Sequence, residues 1–223
     1  MNGTARLYLQ DGASTLKRTR SRYNGRVDIV LAVGLGIGLA SVAGLRAFLP
    51  LLVMCLLVPL GLFELSAAFP QVFEGGDGRG VYVAGAFAVL AVAEIVLDKV
   101  KRVERFLNIG MVPVRALSGA LLFVGALLPG MASFMLWFVL GAVIAGAVAV
   151  LKVVLRPPAG VTSSGVSTSF LSFMEDLVGL IGGAIAFFVP LLPAVLAAFL
   201  LFFYARIRKR RGRKFGGLRI LGD

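Results

Sequence analysis

Residues 29–63 read IVLAVGLGIGLASVAGLRAFLPLLVMCLLVPLGLF, an apolar run broken by one cation, Arg46, within Gly44-Leu45-Arg46-Ala47-Phe48-Leu49-Pro50. As a single helix the run would be about 50 Å long at 1.5 Å per residue. A bilayer offers only about 30 Å of hydrocarbon. The run is therefore not one plain span. It tilts strongly, breaks between Gly44 and Pro50 or near Pro59, or lies partly along the membrane surface. An Arg at the bilayer centre costs roughly 2.5–3.5 kcal/mol on insertion scales, so it faces protein, a wet cavity or an interface. If 46–63 spans, Arg46 lies near the inner face and can meet acids there. If 28–48 spans, it lies near the outer face.

The rest of the 223-residue chain sets the class. It is 59% hydrophobic, with a mean hydropathy of +0.94. That excludes an ordinary soluble domain and indicates an all-α, polytopic membrane protein. The 28 glycines suit helices that approach one another closely in lipid. With no His and one Cys, Cys55, the chain has no means of building a His-containing metal site, a Ser-His-Asp triad, a Cys-rich zinc site or an intrachain disulfide. Neither catalytic residues nor a cofactor is expected, and Cys55 reads as a small buried apolar residue.

The net charge of +12 lies outside the apolar runs. Residues 1–26 form a basic arm with Arg6, Lys17, Arg18, Arg20, Arg22 and Arg26, residues 27–207 the membrane domain, and 208–223 a polybasic tail. Within the membrane domain, apolar stretches occupy about 27–63, 80–98, 112–129, 132–155, 170–190 and 191–207. Glu64, Glu74 and Asp77 mark one connection. Lys99, Lys101, Arg102, Arg105 and Arg115 mark the next, and Lys152 and Arg156 open a later one. With the N-terminus in the cytoplasm and one net crossing by 27–63, six crossings put every basic segment on the inside, as the positive-inside rule requires. The expected location is the bacterial inner membrane, with both termini cytoplasmic. Arg206, Arg208, Lys209, Arg210 and Arg211 are candidates for binding anionic lipid headgroups. Nucleic acid is not the expected partner, because flanking charge of this kind sets topology. A homo-oligomer or a membrane-complex partner is compatible with the sequence. A weak internal repeat pairs the segment from Gly119 to Pro129 with that from Gly183 to Pro193, each reading as a helical hairpin turning at a proline.

Three polar groups stand against this apolar background. Glu94 and Asp98, four apart, share a helix face at the inner end of the second span. Glu94 is embedded among Ala91-Val92-Ala93 and Ile95-Val96-Leu97. Asp98 reads more simply as an interfacial partner of Lys99 or Arg102. The hydroxyl-rich loop Thr162-Ser163-Ser164-Gly165-Val166-Ser167-Thr168-Ser169 leads to Ser172, Glu175 and Asp176. Ser172 and Glu175 fit a capping box at a helix start. Asp176, on another face, is left for a helix interface, and hydroxyls beside acids are also suited to a hard cation. Arg46 is the third group. Glu94 is its expected partner, with Glu175 or Asp176 as alternatives.

Together these motifs resemble an uncharacterised bacterial membrane family, domain of unknown function 4126. Its Gly-Leu-Arg-x-Phe-x-Pro motif corresponds to Gly44–Pro50, its Glu and Asp-Lys to Glu94, Asp98 and Lys99, and its later Arg, Thr/Ser stretch and Ser-x-x-Glu-Asp to Arg156, Thr162, Ser172, Glu175 and Asp176. Lys101 and Glu104 stand where the family pattern has Pro and Asp. The resemblance spans roughly residues 27 to 195 and implies architecture without an activity. The residues suggest a small permease or an ion- or proton-coupled transporter. Arg46, Glu94, Asp98, Ser172, Glu175 and Asp176 are its candidate substrate- or ion-binding groups. The alternative is a non-catalytic scaffold or accessory subunit of a membrane complex.

The charge alternation makes a direct prediction. In a Cys55→Ser background, Asp77→Cys should react with an impermeant thiol reagent only from the side opposite the basic connections. Reaction from the cytoplasmic side alone would reject the six-crossing arrangement.

Overall fold

A computed structural model describes residues 29–57, 79–100, 104–127, 134–156 and 168–216. The basic arm, the acidic connection up to Gly78, Pro129 and the hydroxyl loop before Thr168 lie outside these residues. Among the described residues the fold is wholly helical: α1 (Ile29–Leu45), α2 (Phe48–Leu57), α3 (Arg79–Asp98), α4 (Glu104–Gly125), α5 (Phe134–Leu155), α6 (Thr168–Ile185) and α7 (Leu192–Gly216). Three segments, Gly80–Asp98, Phe106–Gly125 and Phe134–Leu155, are long and apolar enough to cross a membrane. The chain is thus a membrane-spanning helical protein.

The long apolar run is two helices, and Pro50 supplies the reason. In a continuous helix its ring would clash with the carbonyl of Arg46 and leave that carbonyl without a donor. Ending α1 at Leu45 and restarting at Phe48 moves Pro50 into the first turn of α2, where a missing N–H costs nothing. The α1–α2 unit is the centre of the molecule. Leu39, Ala40, Val42, Ala43, Leu45 and Ala47 are all fully buried. Ile29, Val30 and Leu31 at the start of α1 and Leu56 in α2 are exposed, but the stretch from Leu39 to Ala47 is buried all round, as in a core helix. The others surround it: α2 packs on α3 and α6, α4 on α5, and α7 on α5 and α6. Outward faces carry Val89, Val92 and Val96 on α3 and Met135, Val139 and Val143 on α5, all exposed.

Small residues set the closeness of this packing. The inner face of α5 is Gly141, Ala145, Ala149 and Lys152, spaced four, four and three apart along one side of the helix. Gly44 meets that face so closely that a Cβ added to it would lie 2.6 Å from the carbonyl oxygen of Ala145 and 2.6 Å from Cβ of Val148. One boundary and the role of one charge differ from the sequence expectation. Helix α4 begins at Glu104, well before 112, so Arg115 lies within a helix and not in the basic connection. Helix α5 likewise contains Lys152. In both cases the charge is turned inward, so it does not mark the end of an element. Beyond 207, α7 continues as helix into the basic tail as far as Gly216.

Gly44 and Gly85 should respond oppositely to alanine. Gly44→Ala forces backbone against α5 and should lower the thermal midpoint in detergent, by an overpacking cost of about 1–3 kcal/mol. A Cβ at Gly85 meets nothing within 4 Å. Gly85→Ala should leave the midpoint unchanged or raise it, since alanine is favoured over glycine in a helix by about 1 kcal/mol. Equal losses at both positions would contradict the close α1–α5 approach.

Candidate functional site

Breaking a helix frees backbone groups that lipid cannot satisfy. Here side chains from three other helices satisfy them. The last bond of α1 runs from the Arg46 amide to the Val42 carbonyl, at 3.0 Å. The Leu45 carbonyl accepts from Nζ of Lys152, on α5, at 2.8 Å. The Ala47 amide donates to Glu94, on α3, at 3.1 Å to Oε2, and the Phe48 amide donates to the same oxygen at 3.4 Å. The Ala47 carbonyl accepts from Oγ of Ser118, on α4, at 2.5 Å. Each half-helix end thus meets the charge its dipole favours: a carboxylate at the start of α2 and an ammonium at the end of α1.

The same residues form a buried ionic cluster. Arg46 reaches Asp98 at 2.8 Å, Asp176 at 2.7 Å and Glu175 at 3.5 Å. Arg115 pairs with Glu94 at 3.2 Å, Lys152 with Glu175 at 2.8 Å, and Arg156 with both Asp98 and Glu175 at 3.1 Å. Neutral groups fill the gaps. Ser172 Oγ donates to Asp98 at 2.6 Å and accepts from Arg46 at 2.9 Å. Asn108 donates to Asp98 at 3.0 Å and accepts from Arg115 at 3.1 Å. The Tyr204 hydroxyl donates to Glu175 at 2.6 Å. Arg46, Arg115, Lys152 and Glu175 are all fully buried. Among the described residues four cations (Arg46, Arg115, Lys152, Arg156) face four acids (Glu94, Asp98, Glu175, Asp176), so their formal charges sum to zero.

Helical periodicity brings these groups inward. In the second half of α3 the buried positions are Ala91, Glu94 and Asp98. On α4 Asn108, Arg115, Ser118 and Leu122 follow seven, three and four apart. On α6 Ser172, Glu175, Gly179 and Gly182 line one face. Gly179 leaves room for Arg46: an added Cβ would stand 3.4 Å from Cβ and Cγ of the arginine.

All six predicted site residues, Arg46, Glu94, Asp98, Ser172, Glu175 and Asp176, enter one cluster. Their pairing differs from expectation. Arg46 bonds Asp98, Asp176 and Glu175, while Glu94 bonds Arg115 and the start of α2. Glu94 is deepest in apolar sequence, but the break needs an acceptor for its free amides and takes that carboxylate. Asp98 is 2% exposed and bonds Arg46, Asn108, Arg156 and Ser172, so it is a member of the buried cluster and not merely an interfacial charge; Arg102, one of its expected partners, lies outside the described residues. Ser172 and Glu175 form no capping box, because α6 starts at Thr168 and both lie inside it, bonded to other helices. Asn108, Arg115, Lys152 and Tyr204 were not singled out from sequence as site residues. Their signal was spacing: each falls on the buried side of its helix, in step with small or apolar residues. On α7 Arg206, Arg208 and Lys209 are exposed, and Arg208 also donates to the Val154 carbonyl at the end of α5.

Among the described residues no group of three or more His, Cys, Asp or Glu side chains is placed to hold a metal ion. A family model described as a domain of unknown function (DUF4126) matches residues 33–210. No curated protein and no solved structure matches the chain.

The pairing predicts two mutant cycles. Arg115→Met with Glu94→Gln should couple strongly, by about 1–3 kcal/mol, each single change costing about 3–5 kcal/mol by stranding a buried charge. Arg46→Met with Glu94→Gln should be closer to additive than Arg46→Met with Asp98→Asn. Thermal or denaturant unfolding in detergent gives both comparisons, and a larger Arg46–Glu94 coupling would contradict the geometry.

Proposed function

We propose that this chain, which belongs to the DUF4126 family, is a small ion- or proton-coupled permease of an inner membrane, with six crossings and both termini in the cytoplasm. The observation that carries this reading is the broken central helix, buried around its break, whose free ends are held by charged side chains of neighbouring helices. Irregular backbone at membrane depth is tolerated where protein or a water-filled cavity satisfies it, and discontinuous helices are where many transporters bind solutes and coupling ions. Intramembrane ionisable residues commonly mark such pathways. In this reading Arg46 and Arg115 recognise the solute, while Glu94, Asp98, Glu175 and Asp176 respond to the coupling ion. Coupling follows from charge balance: with four cations against four acids, a charged solute enters together with a compensating ion. Arg156 bridges Asp98 at the end of α3 and Glu175 within α6, and its release would open the cluster toward the basic side of the protein.

Exact charge neutrality also favours a second reading, a scaffold in which the pairs serve only to hold the break. Flux separates the two. The protein is reconstituted in vesicles containing a pH-sensitive dye and given gradients of sodium, potassium, phosphate or lactate in turn. At least one gradient should drive proton or solute movement. The charge-neutral pair Arg46→Met with Asp98→Asn should fold and abolish it. Folded wild-type protein that moves none of these would support the scaffold.

A further inference from the structure

Six residues close a ring beside the break. Arg46 bonds Asp98, Asp98 bonds Asn108, Asn108 bonds Arg115, Arg115 bonds Glu94, and Glu94 bonds the amide of Ala47, the residue next to Arg46. Every polar contact of the two arginines named above runs through a single nitrogen, Nη2. The Nε and Nη1 atoms of both Arg46 and Arg115 are buried and have no hydrogen-bond partner among the described residues. A buried unsatisfied donor on a charged group costs more than one on a neutral group. Two arginines sharing this pattern in one ring are therefore a strong demand for acceptors.

The protein's own carboxylates are already engaged. Asp98 accepts from Arg46, Asn108, Arg156 and Ser172. Glu94 accepts from two backbone amides and Arg115. Glu175 accepts from Tyr204 and Arg156 and pairs with Lys152. The unmatched atoms at the ring are four guanidinium nitrogens, Nε and Nη1 of Arg46 and Arg115, against one carboxylate oxygen, Oδ1 of Asp176, which also lacks a hydrogen bond but already lies 2.7 Å from Nη2 of Arg46. Donors outnumber acceptors, and a cation finds little to bind there. A ligand that brings acceptor oxygens and negative charge finds partners, because guanidinium donors match carboxylate and phosphate oxygens.

We infer that the ring formed by Arg46, Asp98, Asn108, Arg115 and Glu94 binds a small oxyanion, a carboxylate or phosphate, through the free Nε and Nη1 donors of Arg46 and Arg115. This names the solute class of the permease reading and rests on that reading only for the step from binding to transport. Water in the ring would satisfy the same donors without selectivity, and the test separates the two.

Lactate and inorganic phosphate are titrated separately into the full chain in nanodiscs at constant ionic strength, with chloride as the balancing anion. Thermal midpoint and calorimetric heat are the readouts. At least one oxyanion should stabilise the wild type saturably over chloride. Arg115→Lys retains a cation for Glu94 but loses the guanidinium donors, and should weaken that binding at least tenfold. Gly85→Ala, outside the ring and with nothing within 4 Å of the added Cβ, should leave it unchanged. If neither oxyanion stabilises the wild type, or if Arg115→Lys titrates like it, the ring holds water and the inference is overturned. Saturable binding without flux keeps the oxyanion site and removes the permease. Flux of sodium or potassium without oxyanion binding does the reverse.

Discussion

The structure depends on one constraint: two free helix ends near Arg46 and Ala47 must be satisfied without water. Leu45 offers a carbonyl, Ala47 both an amide and a carbonyl, and Phe48 an amide. In lipid each of these would cost several kcal/mol unmet. Lys152, Glu94 and Ser118 meet them from three different helices. This places α3, α4 and α5 around the break and brings two charges into the core. Those charges require partners of their own. Arg115 answers Glu94, and Glu175 answers Lys152. The ionic cluster is thus the consequence of a broken backbone as much as of any solute.

Close packing makes that solution geometrically available. Gly44 and the Gly141, Ala145, Ala149 face allow α1 and α5 to approach at backbone distance. Only then does Lys152 reach the end of α1. Gly179 performs the same service on α6 for the stem of Arg46. Small residues in membrane helices allow close approach and good dispersion contact. Here they also decide which charged groups are within reach of one another. A bulkier side chain at Gly44 would therefore act on electrostatics through distance.

Much of this was legible in the sequence. The length of the run from Ile29 and the position of Pro50 gave the break, and five ionisable residues beside apolar sequence, with Ser172 after the hydroxyl-rich loop, gave six members of the cluster. The partner of Arg46 was not legible. Glu94 ranks first by depth in apolar sequence, but backbone amides compete for it, and these become visible only once the break is placed. Arg115 and Lys152 were obscured for a different reason. Charges near span ends ordinarily mark boundaries, and only the spacing of Asn108 to Ser118, or of Gly141 to Lys152, turns them inward. The wrong capping assignment of Ser172 and Glu175 came from a local pattern overridden by contacts from α3, α5 and α7.

The sequence separation of these contacts has a consequence for biogenesis. Arg46 finds Asp98 across 52 residues and Ser172 across 126. At about 5–20 residues per second, those distances correspond to roughly 3–10 s and 6–25 s of synthesis. For that interval the nascent chain carries a charged, discontinuous segment whose partners are still in the ribosome. The first helix pair must wait at the translocon, at the membrane surface or beside an insertion chaperone until α3 arrives, and it reaches its final place only after α6. The helix pair at the centre of the fold is made before every helix whose side chains satisfy its break.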